Sequence, residues 1–289
     1  MPAAPERIGP YRIERRVGQG AMGAIYLAHD PLTGRRVALK TLTLDPGDDG
    51  SADLRTRFAR EADAAGRLRH PGIVAVLGHG EVPGLAWLAM ELLPGHDLGR
   101  HVAVAGRLPV EQVVDIGAQL ADALGYAHAQ GVVHRDIKPA NVVLDPASGR
   151  VKLADFGVAR VADALRTRTG VVLGTPAYMS PEQIAGLPVD GRSDLYALGV
   201  LLFELLCARL PHEAGTLGAL LDAIARRPAP DLRSLRPDVP DALAAVVAQA
   251  LAKRPDERPA DGDAMVTALR AIAPSVKFSR TVPRHNSAD

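Results

Sequence analysis

The chain has 289 residues and a formal net charge of +1, a balance that gives no bulk field for drawing in nucleic acid or an anionic membrane. Its 47% hydrophobic and 23% charged residues are those of a globular protein, and its length asks for two packed lobes rather than one small core. A lone cysteine, Cys207, excludes a disulfide framework within the chain and fits a reducing compartment.

Met1–Pro10 has no apolar core of a secretory leader. The most apolar run, Leu195–Leu210, is interrupted by Glu204 and too short to span a bilayer, so it predicts a buried helix and a cytoplasmic chain. In chain order, Tyr11–Val17 and Ile25–Asp30 read as strands around a glycine-bearing turn, Gly18–Gly23. A third strand, Arg36–Leu42, follows the Pro31–Gly34 turn, and a polar loop covers Asp45–Gly50. Leu54, Phe58, Glu61, Ala62, Ala65 and Leu68 then fall on one helical stripe, stopped at His70-Pro71-Gly72. Ile73–Gly80 and Leu85–Leu92 complete a five-stranded antiparallel sheet with one helix.

From Pro94 the pattern turns helical, which puts a hinge and a cleft near Met90–Gly95. A long helix is predicted over Val110–Gln130, short strands over Val142–Asp145 and Arg150–Leu153, and a functional loop over Asp155–Glu182. Helices resume at Arg192–Leu206, Leu217–Ile224, Asp241–Ala250 and Ala260–Ala273, before a polar tail expected to be disordered. The fold class is α+β, with a small sheet lobe and a larger helical lobe.

Four segments carry chemistry. In Gly18-Gln19-Gly20-Ala21-Met22-Gly23-Ala24-Ile25, glycines let backbone N–H groups approach phosphate oxygens. A dinucleotide fingerprint needs a helix after the glycines; a strand follows here, which favours a hairpin over a nucleotide. In Val37-Ala38-Leu39-Lys40, alternation puts Ala38 and Lys40 on one face, where the ammonium needs an anionic partner, either phosphates or Glu61. His134-Arg135-Asp136-Ile137-Lys138-Pro139-Ala140-Asn141 holds an acid to accept a hydroxyl proton, a lysine to offset phosphoryl charge and an amide oxygen for a metal. Asp155-Phe156-Gly157 adds a hard oxygen ligand suited to Mg²⁺.

Together these segments resemble the eukaryotic-type (Hanks-type) serine/threonine protein kinases, and are most similar to their bacterial members. The resemblance covers residues 11–273, with a sheet lobe of about 11–93, a helical lobe of about 94–273 and 274–289 as tail. It implies ATP and Mg²⁺ as cofactors and Ser/Thr-bearing proteins as substrates. Gly18, Gly20 and Gly23, with Gln19, Ala21, Met22 and Ala24, would cover the phosphates, and Val17, Ile25 and Ala38 would sandwich adenine. Met90 would be the gatekeeper, with Glu91 and Leu93 offering hinge backbone. Lys40 would hold phosphates and pair with Glu61, Asp136 would be the base, Lys138 the γ-phosphate contact, and Asn141 and Asp155 the metal ligands. Thr175 would hydrogen-bond near Asp136 and Lys138 in a substrate-docking segment, Glu182 would pair with Arg258, and Asp194 would brace the catalytic loop.

Gly72 stands where the family often has Asn and Ser180 where Ala is common, and neither change removes a catalytic group. Thr167 and Thr169 are candidate activation sites, their phosphates to be clamped by Arg135 and Arg160 with Arg57 or Arg60. The resemblance also suggests a homodimer through the sheet lobes, and it leaves Ser279 and Thr281 in a linker or autophosphorylated tail. A nucleotide-binding scaffold would lack Lys40, Asp136 or Asp155, and a small-molecule phosphotransferase would not need 174–182 or the Glu182–Arg258 pair.

Overall fold

A computed structural model describes residues 5–20, 23–44, 51–156 and 176–272. The predicted loop at 45–50 and the tail from 274 lie outside them.

The sheet lobe has six strands rather than five: β1 (Arg7–Ile8), β2 (Tyr11–Gly20), β3 (Gly23–His29), β4 (Arg36–Thr43), β5 (Val76–Val82) and β6 (Leu85–Glu91). They are antiparallel in the order β1-β2-β3-β4-β6-β5. The additional strand is a two-residue edge on which Ile8 faces Tyr11. At that length it has no period to read in the sequence. Ile73, predicted to start a strand, instead makes a parallel bridge to Leu153.

Period-two alternation sorts the sheet into two faces. Val37 and Leu39 of β4, with Trp87 and Ala89 of β6, pack outward with Ile8 and Tyr11. Leu42, Leu88 and Met90 point inward onto Leu54, Phe58 and Ala62 of helix α1 (Ser51–Arg67), with Ala38 packed alongside. Lys40, two residues from Ala38, shares that inward side.

In the helical lobe, a strand the sequence did not suggest, β7 (His96–Asp97), pairs with the first of the two expected short strands, β8 (Val142–Leu144), which pairs in turn with the second, β9 (Val151–Leu153). The helices are α2 (Leu98–Ala105), α3 (Val110–Ala129), α4 (Pro181–Ile184), α5 (Gly191–Cys207), α6 (Leu217–Arg226), α7 (Leu232–Leu235), α8 (Asp241–Ala250) and α9 (Gly262–Ile272). Short α2, α4 and α7 escaped the sequence reading because four to eight residues carry too little helical period. Helix α5 is buried almost end to end, its apolar run Leu195–Phe203 lying at the centre of the lobe.

The two lobes share more than the hinge. Ala65, Leu68 and Ile73 belong to the same buried cluster as α3 and α5. Val74 N donates to Leu153 O at 2.8 Å and Leu153 N to Gly72 O at 2.8 Å. The end of α1 is thus fastened to the strand that leads into Asp155.

Candidate active site

The glycine hairpin is continuous strand: Gly18, Gln19 and Gly20 pair with Ile25, Ala24 and Gly23. This is the hairpin alternative of the sequence reading. The register slips between Arg16 and Gly18, so Val17 is the bulged residue, 46% exposed. Bulges re-aim side chains beside functional sites. Gly23 has a second reason to be glycine. A Cβ there would lie 1.9 Å from Thr41 O, while Ala24 N and O both bond to Thr41 Oγ1 at 3.1 and 3.0 Å. Ala21 and Met22 lie outside the described residues.

Behind the hairpin, Ile25 pairs with Lys40 across β3 and β4, and Ala38 pairs with Met90 across β4 and β6. Met90 is buried, and Ala38, Leu93 and Ala154 pack on the same inner cluster. Three of the residues expected near adenine, Ala38, Met90 and Leu93, therefore meet the residue before Asp155. At the hinge, Glu91 Oε1 accepts from Lys152 Nζ at 2.6 Å and from Ala75 N at 2.8 Å, and Glu91 N donates to Ala75 O at 3.0 Å. The sequence signal for Lys152 was its rarity: only five lysines occur in the chain.

Lys40 reaches Asp155, Nζ to Oδ2 2.7 Å, with both side chains partly open to solvent. Burial pushes the Asp155 carboxyl up, but Lys40, with smaller contributions from His134 and Lys138, outweighs it and holds the group below its ordinary value. Glu61 is half-buried on α1, on the stripe that faces the sheet.

The catalytic-loop candidates assemble around Asp136. Lys138 Nζ lies 2.6 Å from Asp136 Oδ2, and Asn141 Nδ2 donates to the same oxygen at 2.9 Å and to Asp136 O at 2.7 Å. Because the Asn141 nitrogen is committed, its carbonyl oxygen is the atom left for a cation. Separately, the backbone carbonyl of Asn141 accepts from Ala154 N at 2.9 Å, which ties the residue to the one beside Asp155. An amide oxygen and an ionised carboxylate on adjoining segments are the hard donors Mg²⁺ takes, with Lys40 and Lys138 on hand for phosphate.

The loop's shape is set from beneath. Asp194, fully buried on α5, accepts from His134 N at 2.8 Å and Arg135 N at 2.7 Å, and sits 2.8 Å from His128 Nε2. Asp136 N donates to His134 Nδ1 at 3.2 Å, so the ring hydrogen is on Nε2, which points at Ala154 O at 2.8 Å. His134 also meets Phe156 edge to face, centroids 4.6 Å apart. His128 and His134 thus act through others, and sequence reasoning gave them no role. Three non-glycine residues among those described have positive φ, and two are here: Arg135 at 68° and Asp155 at 67°. Such strain persists only where the surroundings over-determine it.

Below the site, Arg258 grips Glu182 bidentately, Nη1–Oε1 2.7 Å and Nη2–Oε2 2.8 Å, with Ser193 Oγ also donating to Glu182. Burial raises the Glu182 carboxyl, yet Arg258 and Ser193 pull it down to about 2. Ser180 forms a capping box with Gln183, whose Nε2 also donates to Arg135 O at 2.9 Å. That accounts for a hydroxyl at 180. Gly157, Arg160, Thr167, Thr169 and Thr175 lie outside the described residues.

A two-lobed fold with this cleft defines a protein kinase catalytic domain. The chain belongs to that family: the protein kinase domain profile matches residues 11–269. It is 46% identical over 255 residues to the serine/threonine-protein kinase PknJ of Mycobacterium tuberculosis, covering 86% of this chain and 43% of that protein. It is 42% identical over 288 residues to Pkn1 of Myxococcus xanthus, covering 96% and 40%. Among solved structures, the PknI kinase domain of M. tuberculosis matches with a TM-score of 0.76 and 35% identity, over 94% of this chain and 100% of that one. The chain spans about two-fifths of the length of these curated relatives. As a family, protein kinases use ATP and Mg²⁺. No helix among the described residues is long and apolar enough to cross a membrane.

Proposed function

We propose that this chain transfers the γ-phosphoryl group of ATP to serine and threonine hydroxyls of proteins. The observation that carries the reading is Asp136 held within 3 Å of both Lys138 and Asn141, beside a Lys40–Asp155 pair. When bound, ATP supplies the phosphoryl group and Mg²⁺ offsets the charge on its oxygens.

In this reading Asp136 orients the acceptor hydroxyl and takes its proton, and Lys138 neutralises charge on the transferring group. Lys40 holds the nucleotide phosphates and pairs with Glu61, while Asn141 and Asp155 take the metal. Val17, Ile25, Ala38 and Met90 enclose adenine, with Glu91 and Leu93 supplying hinge backbone, and residues 18–24 cover the phosphates. Lys138 and the relatives' names support serine and threonine over tyrosine. Thr175 docks the substrate, and phosphorylation at Thr167 or Thr169 orders the loop through Arg135. The kinase unit is residues 11–273, it works in the cytoplasm without nucleic acid, and it pairs through its sheet lobe with a second copy.

The test is incubation of the chain with Mg²⁺, γ-labelled ATP and a basic acceptor protein, beside Asp136→Asn. Labelled serine or threonine that disappears in the variant is the expected result. ATP binding without transfer in the phosphorylated wild-type chain overturns the reading.

A further inference from the structure

Four of the five lysines lie among the described residues, and three end on carboxylates: Lys40 on Asp155, Lys138 on Asp136 and Lys152 on Glu91. Lys253 does not. Its Nζ donates to Ile224 O in the last turn of α6 at 2.7 Å and lies 3.1 Å from His212 Nε2. It sits 5.8 Å from the Tyr196 ring centroid and borders a cavity of about 390 Å³ walled by Phe203, Leu232, Val247 and Leu251. This cavity is separate from the kinase cleft.

The charged neighbours do nothing to hold an ammonium there. Arg258 shares the Tyr196 ring, 4.9 Å from its centroid, and is committed to Glu182. Asp231 borders the cavity, but its carboxylate caps α7 through Arg233 N. Burial first, and Arg258 second, lower the Lys253 amine to about 8. Burial, Lys253 and Arg227 lower His212 to about 4, so at neutral pH it is an uncharged imidazole able to accept an N–H from Lys253.

We propose that Lys253 is a covalent acylation site that takes a short acyl group from an acyl thioester or an acyl phosphate and lodges it in the adjoining cavity. The unprotonated Nζ adds to the acyl carbon, forming the N–C bond. The C–S or C–O bond breaks, and its electron pair leaves with the thiolate or phosphate, which ends with the proton the nitrogen gives up. The resulting amide is neutral, which removes the unpaired charge, and its one N–H keeps an acceptor in Ile224 O or His212 Nε2. Apolar walls suit the acyl methylenes. The idea stands apart from the phosphotransfer reading, because no cleft residue takes part.

The whole chain is treated in separate arms with acetyl phosphate, acetyl-N-acetylcysteamine and butyryl-N-acetylcysteamine from pH 6.5 to 9.5, and peptide mass spectrometry gives the rate at each lysine. At pH 7.5 Lys253 is expected to react on the order of tenfold faster than Lys152, with a half-maximal rate near pH 8. The butyryl donor should widen that ratio over acetyl thioester, and whichever donor class reacts identifies the source. Lys253→Arg should lose the adduct and keep its kinase activity. Equal rates at Lys253 and Lys152, or a midpoint above pH 10, overturn the site. A ratio indifferent to chain length overturns the role of the cavity. No variant is needed for these readouts, so a failure to fold cannot mask them.

Discussion

Two ion pairs in this kinase domain are built from the same charges and behave as opposites. Arg258 and Glu182 make two parallel hydrogen bonds, with side chains 0% and 6% exposed, and the remaining polar atoms go to Ser193, Ala252 O, Arg192 O and Lys253 O. Lys40 and Asp155 are joined by a 2.7 Å contact, with side chains 25% and 21% exposed. The first pair is saturated and sealed, so it has no capacity for a further partner. The second is open to solvent and adjoins Asn141 and Lys138, so its charges can turn to a ligand. Charge chemistry alone does not say which pair is structural; the surrounding donors and the access of water do.

The largest effect expected from this contrast is on stability. Arg258→Met leaves a buried carboxylate without its partner, a loss of about 3–5 kcal/mol, read as a fall in the urea midpoint at unchanged slope. Lys40→Met should do the reverse. Removing one preorganised donor costs about 10²–10³ in turnover, while a pair that water still reaches contributes less to folding than the sealed one. A Lys40→Met chain that unfolds as easily as Arg258→Met would erase the distinction.

Acid sharpens it further. The Glu182 carboxyl sits at about 2 against an ordinary 4.5, so the folded state favours its charged form. Its stabilisation is complete above about pH 4.5 and drains away as pH falls toward 2. A shift of that size is worth roughly 3 kcal/mol. Urea midpoints between pH 5 and 2.5 should fall more steeply for the wild type than for Glu182→Gln, which starts lower. Parallel curves would remove Glu182 as the acid-sensitive group.

What the sequence disclosed follows the same division. The residues proposed to carry the chemistry sit in short runs with fixed spacing, so the sequence singled out Lys40, Asp136, Lys138, Asn141 and Asp155 for the cleft, and it paired Glu182 with Arg258, as the fold does. The inward face of β4 followed from alternation. Among residues that act through another residue, Asp194 was named as the brace of the catalytic loop, but His128 and His134 were not legible. His128 and His134 meet Asp194 across about sixty residues of chain separation, and only folding reveals that one carboxylate takes two backbone N–H groups and an imidazole. The edge strand Arg7–Ile8, strand His96–Asp97 and helix Leu232–Leu235 are too short to show a period.

The smallest predicted effect lies at the hinge and tests whether a third pair belongs with the sealed or the open type. Lys152 and Glu91 are 27% and 29% exposed, like the cleft pair, yet Glu91 Oε1 also takes Ala75 N, like the sealed one. The bridge joins the last residue of β6 to β9 in the other lobe, so its energy bears on how the hinge backbone is presented rather than on whether the chain folds. A half-exposed pair is worth about 0.2–1 kcal/mol. Lys152→Met is therefore expected to raise the KM for ATP by about two- to fivefold with kcat unchanged, the pattern of lost ground-state binding. Steady-state kinetics over a range of ATP concentrations reads this directly. A fall in kcat at constant KM would place the bridge with the groups that act on the transition state, and an unaltered KM would leave it a surface contact. If KM alone moves, the hinge pair fastens the two lobes as Arg258 fastens α4 to the core, at a fraction of the energy because water reaches both of its charges.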